Sequence, residues 1–206
     1  MGIMELGANK LGLHERFNPH WDQPMPFRIK GFGRLQLAQL FGELGFKIGA
    51  EVGVAEGKFS LVLCQEIPGL ELHCVDLWDK YYRGFAETII KDKPMQDEAL
   101  RLAHEKLDPY GAQFHHKASH LAAMDFRDGL LDFVYIDGDH TFDYAMLDLI
   151  FWSMKVKRGG IVSGHDFYRF RGAGVVDAVS AYTHAHQINE WFVCDEREVS
   201  FFWEKP

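Results

Sequence analysis

The chain has 206 residues, 47% of them apolar and 25% charged, with a formal charge of −8. That length supports one domain with a substantial core and a small appendage, and the acidic balance argues against broad electrostatic binding to DNA or RNA. No apolar run approaches the ~18 residues of a membrane helix, the start MGIMELGANKLGLHERF lacks the apolar core of a signal peptide, and Leu6 stands where a myristoylation motif wants Ser or Thr.

Residues 1–30 are read as an N-terminal arm. HERFNPHWDQPMPFR mixes aromatics, prolines, histidines and charges, which is the composition of extended or looped chain. Such an arm is expected to cover an acceptor site or to make a homo-oligomer contact, and residues 31–206 form the main domain. From Gly33 to Leu44 the residues Leu37, Leu40, Phe41 and Leu44 recur at helical spacing, and Gly45 is a natural stop.

The next stretch, KIGAEVGVAEGKFSLVLCQEIPGLELHCVD, reads as strand, glycine loop, helix, strand and acid. Gly53 allows a tight turn and close approach of a ligand; Gly57 lets the helix start pack near the strand. Asp76 closes the second strand about 20 residues past the loop, where an acid can accept both hydroxyls of a ribose. A full G-x-G-x-x-G is absent. Glu51 and Glu56 flank the turn and are poor company for a pyrophosphate, but they suit a ligand carrying positive charge. S-adenosylmethionine, with its ribose, ammonium and sulfonium, fits. Leu77 and Trp78 follow, placed either against an adenine ring or in packing.

Further on, helices are expected over Asp97–Leu107, Leu121–Phe126, Phe142–Met154 and Gly174–His184, with Ala145, Leu147, Leu149, Ile150, Phe151 and Met154 of the third largely buried. Strands are expected over Gln113–His116, Leu131–Ile136 and Ile161–Gly164, with a turn at Lys157–Gly160. A closing hairpin is expected from Trp191–Cys194 and Val199–Trp203. Ser119 lies past the third strand, at a nucleobase rim. Asp137, His140, His165 and Asp166 sit at the ends of two further strands. Alternating βα units imply a parallel sheet with helices on both faces and an antiparallel strand at one edge. Ligands bind such sheets at the carboxyl ends of the strands. Cys64, Cys74 and Cys194 show no zinc or disulfide spacing and are expected as buried thiols in a reducing cytoplasm.

The segments EVGVAEGKFS, VDLW, FVYIDGDH and RGGIVSGHDF together resemble a class I S-adenosylmethionine-dependent methyltransferase of the family-24 type, related to macrocin O-methyltransferases and more distantly to catechol O-methyltransferase. The resemblance covers Gly45 to the C-terminus. It implies an α/β, Rossmann-like, seven-stranded and mostly parallel sheet whose last strand is antiparallel. It also implies that Glu51, Gly53 and Gly57 line the methionine end of the cofactor, beside Glu56 from the reading above, that Asp76 binds the ribose, that Leu77, Trp78 and Ser119 flank the adenine, and that Asp137 lies under the transferred methyl group. Ala55 departs from the glycine that many of these enzymes carry. The acceptor is expected to be a small molecule such as a sugar or polyol.

Two mechanisms suit the rim. In the first, which the resemblance to catechol O-methyltransferase implies, Asp137 and Asp166 at the ends of the fourth and fifth strands hold Mg²⁺ or Mn²⁺, with His165 adjacent and His140 as base. In the second, no metal takes part and His140 or His165 is a general base held by an aspartate. A purely structural reading has Asp139 and Asp166 capping loops and the histidines hydrogen-bonded. The alternatives to methyl transfer are an aminopropyl transferase or hydrolase on the same scaffold, or a cofactor-binding subunit without chemistry.

Overall fold

The computed structural model describes residues 11–19, 24–79, 93–170 and 172–206. Eight strands form one sheet: β1 (Phe27–Ile29), β2 (Ile48–Val52), β3 (Glu71–Asp76), β4 (Gln113–His116), β5 (Leu131–Ile136), β6 (Val156–Gly164), β7 (Phe192–Cys194) and β8 (Phe201–Glu204). Their order is β1-β7-β8-β6-β5-β2-β3-β4. All neighbours run parallel except β8, which is antiparallel to both β6 and β7. The antiparallel strand is therefore inserted between β6 and β7 rather than placed at an edge. The expected seven strands become eight because Phe27–Ile29 pairs with β7.

Among the described residues seven α-helices cover the sheet: α1 (Leu13–Phe17), α2 (Arg34–Glu43), α3 (Lys58–Glu66), α4 (Lys93–Leu107), α5 (Ser119–Ala123), α6 (Phe142–Lys155) and α7 (Val175–Ala185). Two-residue alternation sorts the strands onto two faces. Phe133 and Tyr135 join the cluster of α2, α3 and α4, while Val134 and Ile136 join that of α5, α6 and α7. The ring of Phe41 stacks on Phe133 at 4.4 Å, which lays α2 over β5.

The N-terminal arm departs from its expected character. Leu13 is fully buried in the first cluster, and Phe17 packs edge-on to Phe32 at 5.3 Å. Part of the arm is thus core and sheet of the same chain; residues 1–10 and 20–23 lie outside the described residues. The expected turn at Lys157–Gly160 is instead continuous with β6, whose pairing with β5 shifts register between Leu131 and Phe133. Leu147, Ile150 and Met154 are exposed rather than buried. Apolar residues lie on every side of α6, so periodicity blurred which face meets the sheet; the expected Ala145 and Leu149 do, together with Trp152.

The loop after β2 is shaped by backbone approach. Gly53 has φ +89°, and a Cβ there would lie 1.9 Å from the Asp137 carbonyl oxygen. Gly53 N–H also donates to the Val75 carbonyl at 2.8 Å. Gly57 packs against Ala103 and Leu107 of α4, so its role is helix-on-helix rather than helix-on-strand. Gly53→Ala is expected to cost about 3 kcal/mol or more, from strain and overpacking together. Chemical denaturation would check it: an unchanged midpoint would mean the two strand ends separate freely.

Candidate active site

The strand order reverses between β2 and β5, where the crevice of a doubly wound sheet opens. A cavity of about 710 Å³ lies there, large enough for a nucleoside-bearing ligand. Gly53, Ala55, Asp76, Leu77, Ser119, Asp137, His140, His165 and Asp166 all line it. Folding therefore joins the ends of β2, β3, β4, β5 and β6 in one place.

Asp76 is held in position by two backbone donors. Ala55 N–H donates to one carboxylate oxygen at 2.8 Å and Trp78 N–H to the other at 3.0 Å. Ala55 adopts φ +48°, the left-handed region a glycine enters at no cost. Its bonds to Asp76 and to the Trp78 indole N–H, which donates to the Ala55 carbonyl at 2.9 Å, hold it there.

Four expected cofactor residues do not line the cavity: Glu51, Glu56, Gly57 and Trp78. Glu51 is buried and accepts a hydrogen bond from the Ser60 hydroxyl. Burial raises its carboxyl to about 8, against the lowering effect of Ser60, so it is largely neutral at pH 7. It faces α3 because that side of β2 lies under the helix. Glu56 is an outer-surface residue paired with Lys58 at 2.7 Å. Trp78 is fully buried beneath the glycine loop and packs 5.8 Å from Phe114.

At the other end of the cavity two carboxylates and two imidazoles converge. His140 Nε2 lies 2.8 Å from Asp166 Oδ2 and 3.7 Å from Asp137 Oδ1. His165 Nδ1 lies 3.5 Å from an oxygen of each. Asp166 has φ +58°, a strained setting of the kind found where a side chain must be aimed. Asp139 accepts from the Thr141 N–H at 2.8 Å in the loop just before α6, while no side-chain hydrogen bond caps the helix itself.

The sequence pattern of the family-24 methyltransferase domain matches residues 50–167, more than half of the chain. The chain belongs to this methyltransferase family. A search of curated protein sequences gave no match. Among solved structures, an rRNA methylase of Streptococcus thermophilus is 11% identical, with TM-score 0.59 over 86% of this chain and 99% of that one. A candidate methyltransferase of Streptococcus mutans, in complex with SAH, is 12% identical with TM-score 0.59 over 84% and 98%. A candidate O-methyltransferase of Klebsiella pneumoniae is 12% identical with TM-score 0.58 over 95% and 88%. At these identities the likeness is one of fold.

The methyltransferase site also contains residues that sequence reasoning missed. Asp148 of α6 lines the cavity and accepts from the Ser119 hydroxyl at 2.5 Å, while the Trp152 indole donates to Ser119 at 2.7 Å. Burial raises its carboxyl to about 7, opposed by Ser119. The signal was an acid in the buried stripe Ala145, Asp148, Leu149, Trp152. Tyr168 and Phe170, stacked at 4.7 Å, line the cavity wall beside His140, in a segment past the expected strand to which no element or role had been given. Arg34 lines it too, from the first turn of a helix whose polar start carried no motif.

The methyltransferase's carboxylate–imidazole cluster has a definite pH signature. Burial disfavours charge on His140 and His165, but the two aspartates outweigh it and raise them to about 10 and about 9. Burial likewise opposes charge on Asp137 and Asp166, yet the imidazoles hold both below the usual carboxylate range. The histidine contribution to stability is complete below pH ~6.5, the ordinary imidazole value, and is lost as pH rises through 9 and 10. The aspartate contribution is present above ~3.9 and lost as pH falls. In chelator, the melting temperature is therefore expected to be highest between about pH 4 and 6.5 and to drop by several degrees towards pH 10. A profile flat above pH 6.5 in thermal melts would contradict this coupling.

Proposed function

We propose that this methyltransferase moves a methyl group from S-adenosylmethionine to a hydroxyl of a small ring-bearing molecule, such as a sugar or other polyol, with help from a divalent cation. The observation that carries the reading is the shared cavity. A ribose-binding acid, Asp76, and a dense acid–imidazole cluster open into the same space from opposite sides of the β2/β5 crevice. The family match favours methyl transfer over aminopropyl transfer or hydrolysis.

The residues present fit a cation. One oxygen or nitrogen each from Asp137, His140 and Asp166 lie within 4.8 Å of one another. Carboxylate oxygens suit Mg²⁺, and an imidazole beside them admits Mn²⁺. When bound, such an ion lowers the pKa of a nearby hydroxyl. Asp137 and Asp166 would hold it. The metal-free route is less well supported, because imidazoles raised to about 10 and 9 already carry the proton that a base must accept. Were both carboxylates to hold such an ion, their hold on the His140 proton would weaken; that proton could pass to solvent, and His140 would then serve as base for the acceptor hydroxyl.

The stacked Tyr168 and Phe170 offer a flat platform beside His140, on which a sugar or aromatic ring can lie with its hydroxyls towards the cluster. Asp76 would take the ribose, Leu77 would touch the adenine, and Ser119 with Asp148 would meet its polar edge. In-line transfer then needs mainly alignment. Among the described residues no helix is long and apolar enough to cross a membrane. A cytoplasmic setting and assembly through the N-terminal arm fit this chemistry and are proposed with it.

Calorimetry with S-adenosylmethionine and SAH is the first test, followed by transfer of labelled methyl to panels of sugars and catechols. Absence of binding by both nucleosides would reject the function.

A further inference from the structure

With Glu51 and Glu56 outside the cavity, the amino-acid end of the donor has no partner from the glycine loop's acids. The cavity supplies another. Arg34 opens α2, and its main chain is pinned: its N–H donates to Glu196 at 3.1 Å, and Glu196 in turn accepts from the Ser200 hydroxyl at 2.7 Å. The guanidinium is half-buried, 5.8 Å above the Phe59 ring. Its nearest carboxylate approach is 3.9 Å, to Glu196, and among the described residues it donates no hydrogen bond. A guanidinium carries five donors in a planar fork that matches a carboxylate. Arg34 lines the cavity, its long ion pair to Glu196 leaving the donors of that fork without a hydrogen bond among the described residues.

Its placement selects the occupant. The ribose acid lies at the end of β3, the crevice at the ends of β2 and β5, and α2 lies over β5. A donor with its ribose at Asp76 and its sulfur over the crevice extends its amino-acid tail towards the start of α2. Lys117, the other Lys or Arg of the lining, follows β4 on the adenosine side and is paired with Asp125. We propose that Arg34 binds the α-carboxylate of the methionine moiety of the donor. This rests on the donor reading above.

The test compares SAH with 5′-methylthioadenosine, which lacks the amino-acid tail, on wild-type protein, Arg34→Met and Arg34→Lys. Arg34→Met is expected to weaken SAH by roughly 10- to 100-fold, the value of a charge-assisted bond, while methylthioadenosine binds as before; Arg34→Lys should recover part of the loss. Equal losses for both nucleosides would mean that Arg34 only supports the fold, and would overturn the proposal. So would unchanged SAH affinity, and if the acceptor's KM then rose alone, the anion would belong to the acceptor. Failure of wild-type protein to bind SAH at all is a different result, which removes the donor reading itself.

Discussion

Asp76→Ala is expected to weaken SAH binding by at least 10- to 100-fold, because a charged acceptor bonded to ribose hydroxyls contributes about 1.5–3 kcal/mol. The change also strips the acceptor from the Ala55 and Trp78 N–H groups, and Ala55 stands at φ +48° partly on that bond. A loosened glycine loop would therefore add to the loss. Asp76→Asn separates the two effects: its carbonyl oxygen can serve one backbone donor while the charge is gone. If calorimetry gave both variants wild-type affinity with normal melting temperatures, the ribose would be held elsewhere and the assignment of the cavity's two ends would be wrong.

Removing the cation is expected to have the other large effect. Chelator treatment should lower turnover on the order of 100-fold or more, with Mg²⁺ or Mn²⁺ restoring it, since charge stabilisation and hydroxyl activation are lost together. Asp137→Asn and Asp166→Asn should reproduce the loss in kcat and leave SAH affinity within a few-fold. The variants also leave His140 and His165 short of a counter-charge, so both imidazoles should titrate lower than in wild type, readable by NMR. Full activity in chelator, with wild-type rates in both variants, would return the chemistry to an acid–base pair without metal.

How much of this was legible beforehand differs from residue to residue. The strand-loop-helix-strand run ending in Asp76 was readable because alternating apolar residues and glycines act locally. The same holds for the position of Asp137 and of His165–Asp166 at strand ends. Glu51 misled because its neighbours on the chain are a glycine loop, whereas its neighbours in space are Ser60 and α3. Trp78 misled in the same way: an aromatic after an acid reads as a base-stacking surface, yet its indole bonds the Ala55 carbonyl from below the loop. Asp148 was hidden inside an apolar helix, and Arg34 in a segment without a motif.

Sequence alone therefore determined the alternation of strands and helices, the acids closing β3 and β5, and the family, since these depend on residues close along the chain and on two-residue and 3.6-residue periods. Only the tertiary structure decided which carboxylates share the cavity. It turned Glu51 into a buried, largely neutral acid, seated β8 between β6 and β7, and carried Arg34 and Asp148 into the crevice. The physical reason is that a side chain's charge and reach depend on what packs around it, and those neighbours come from distant segments, such as Arg34 and Glu196, 162 residues apart.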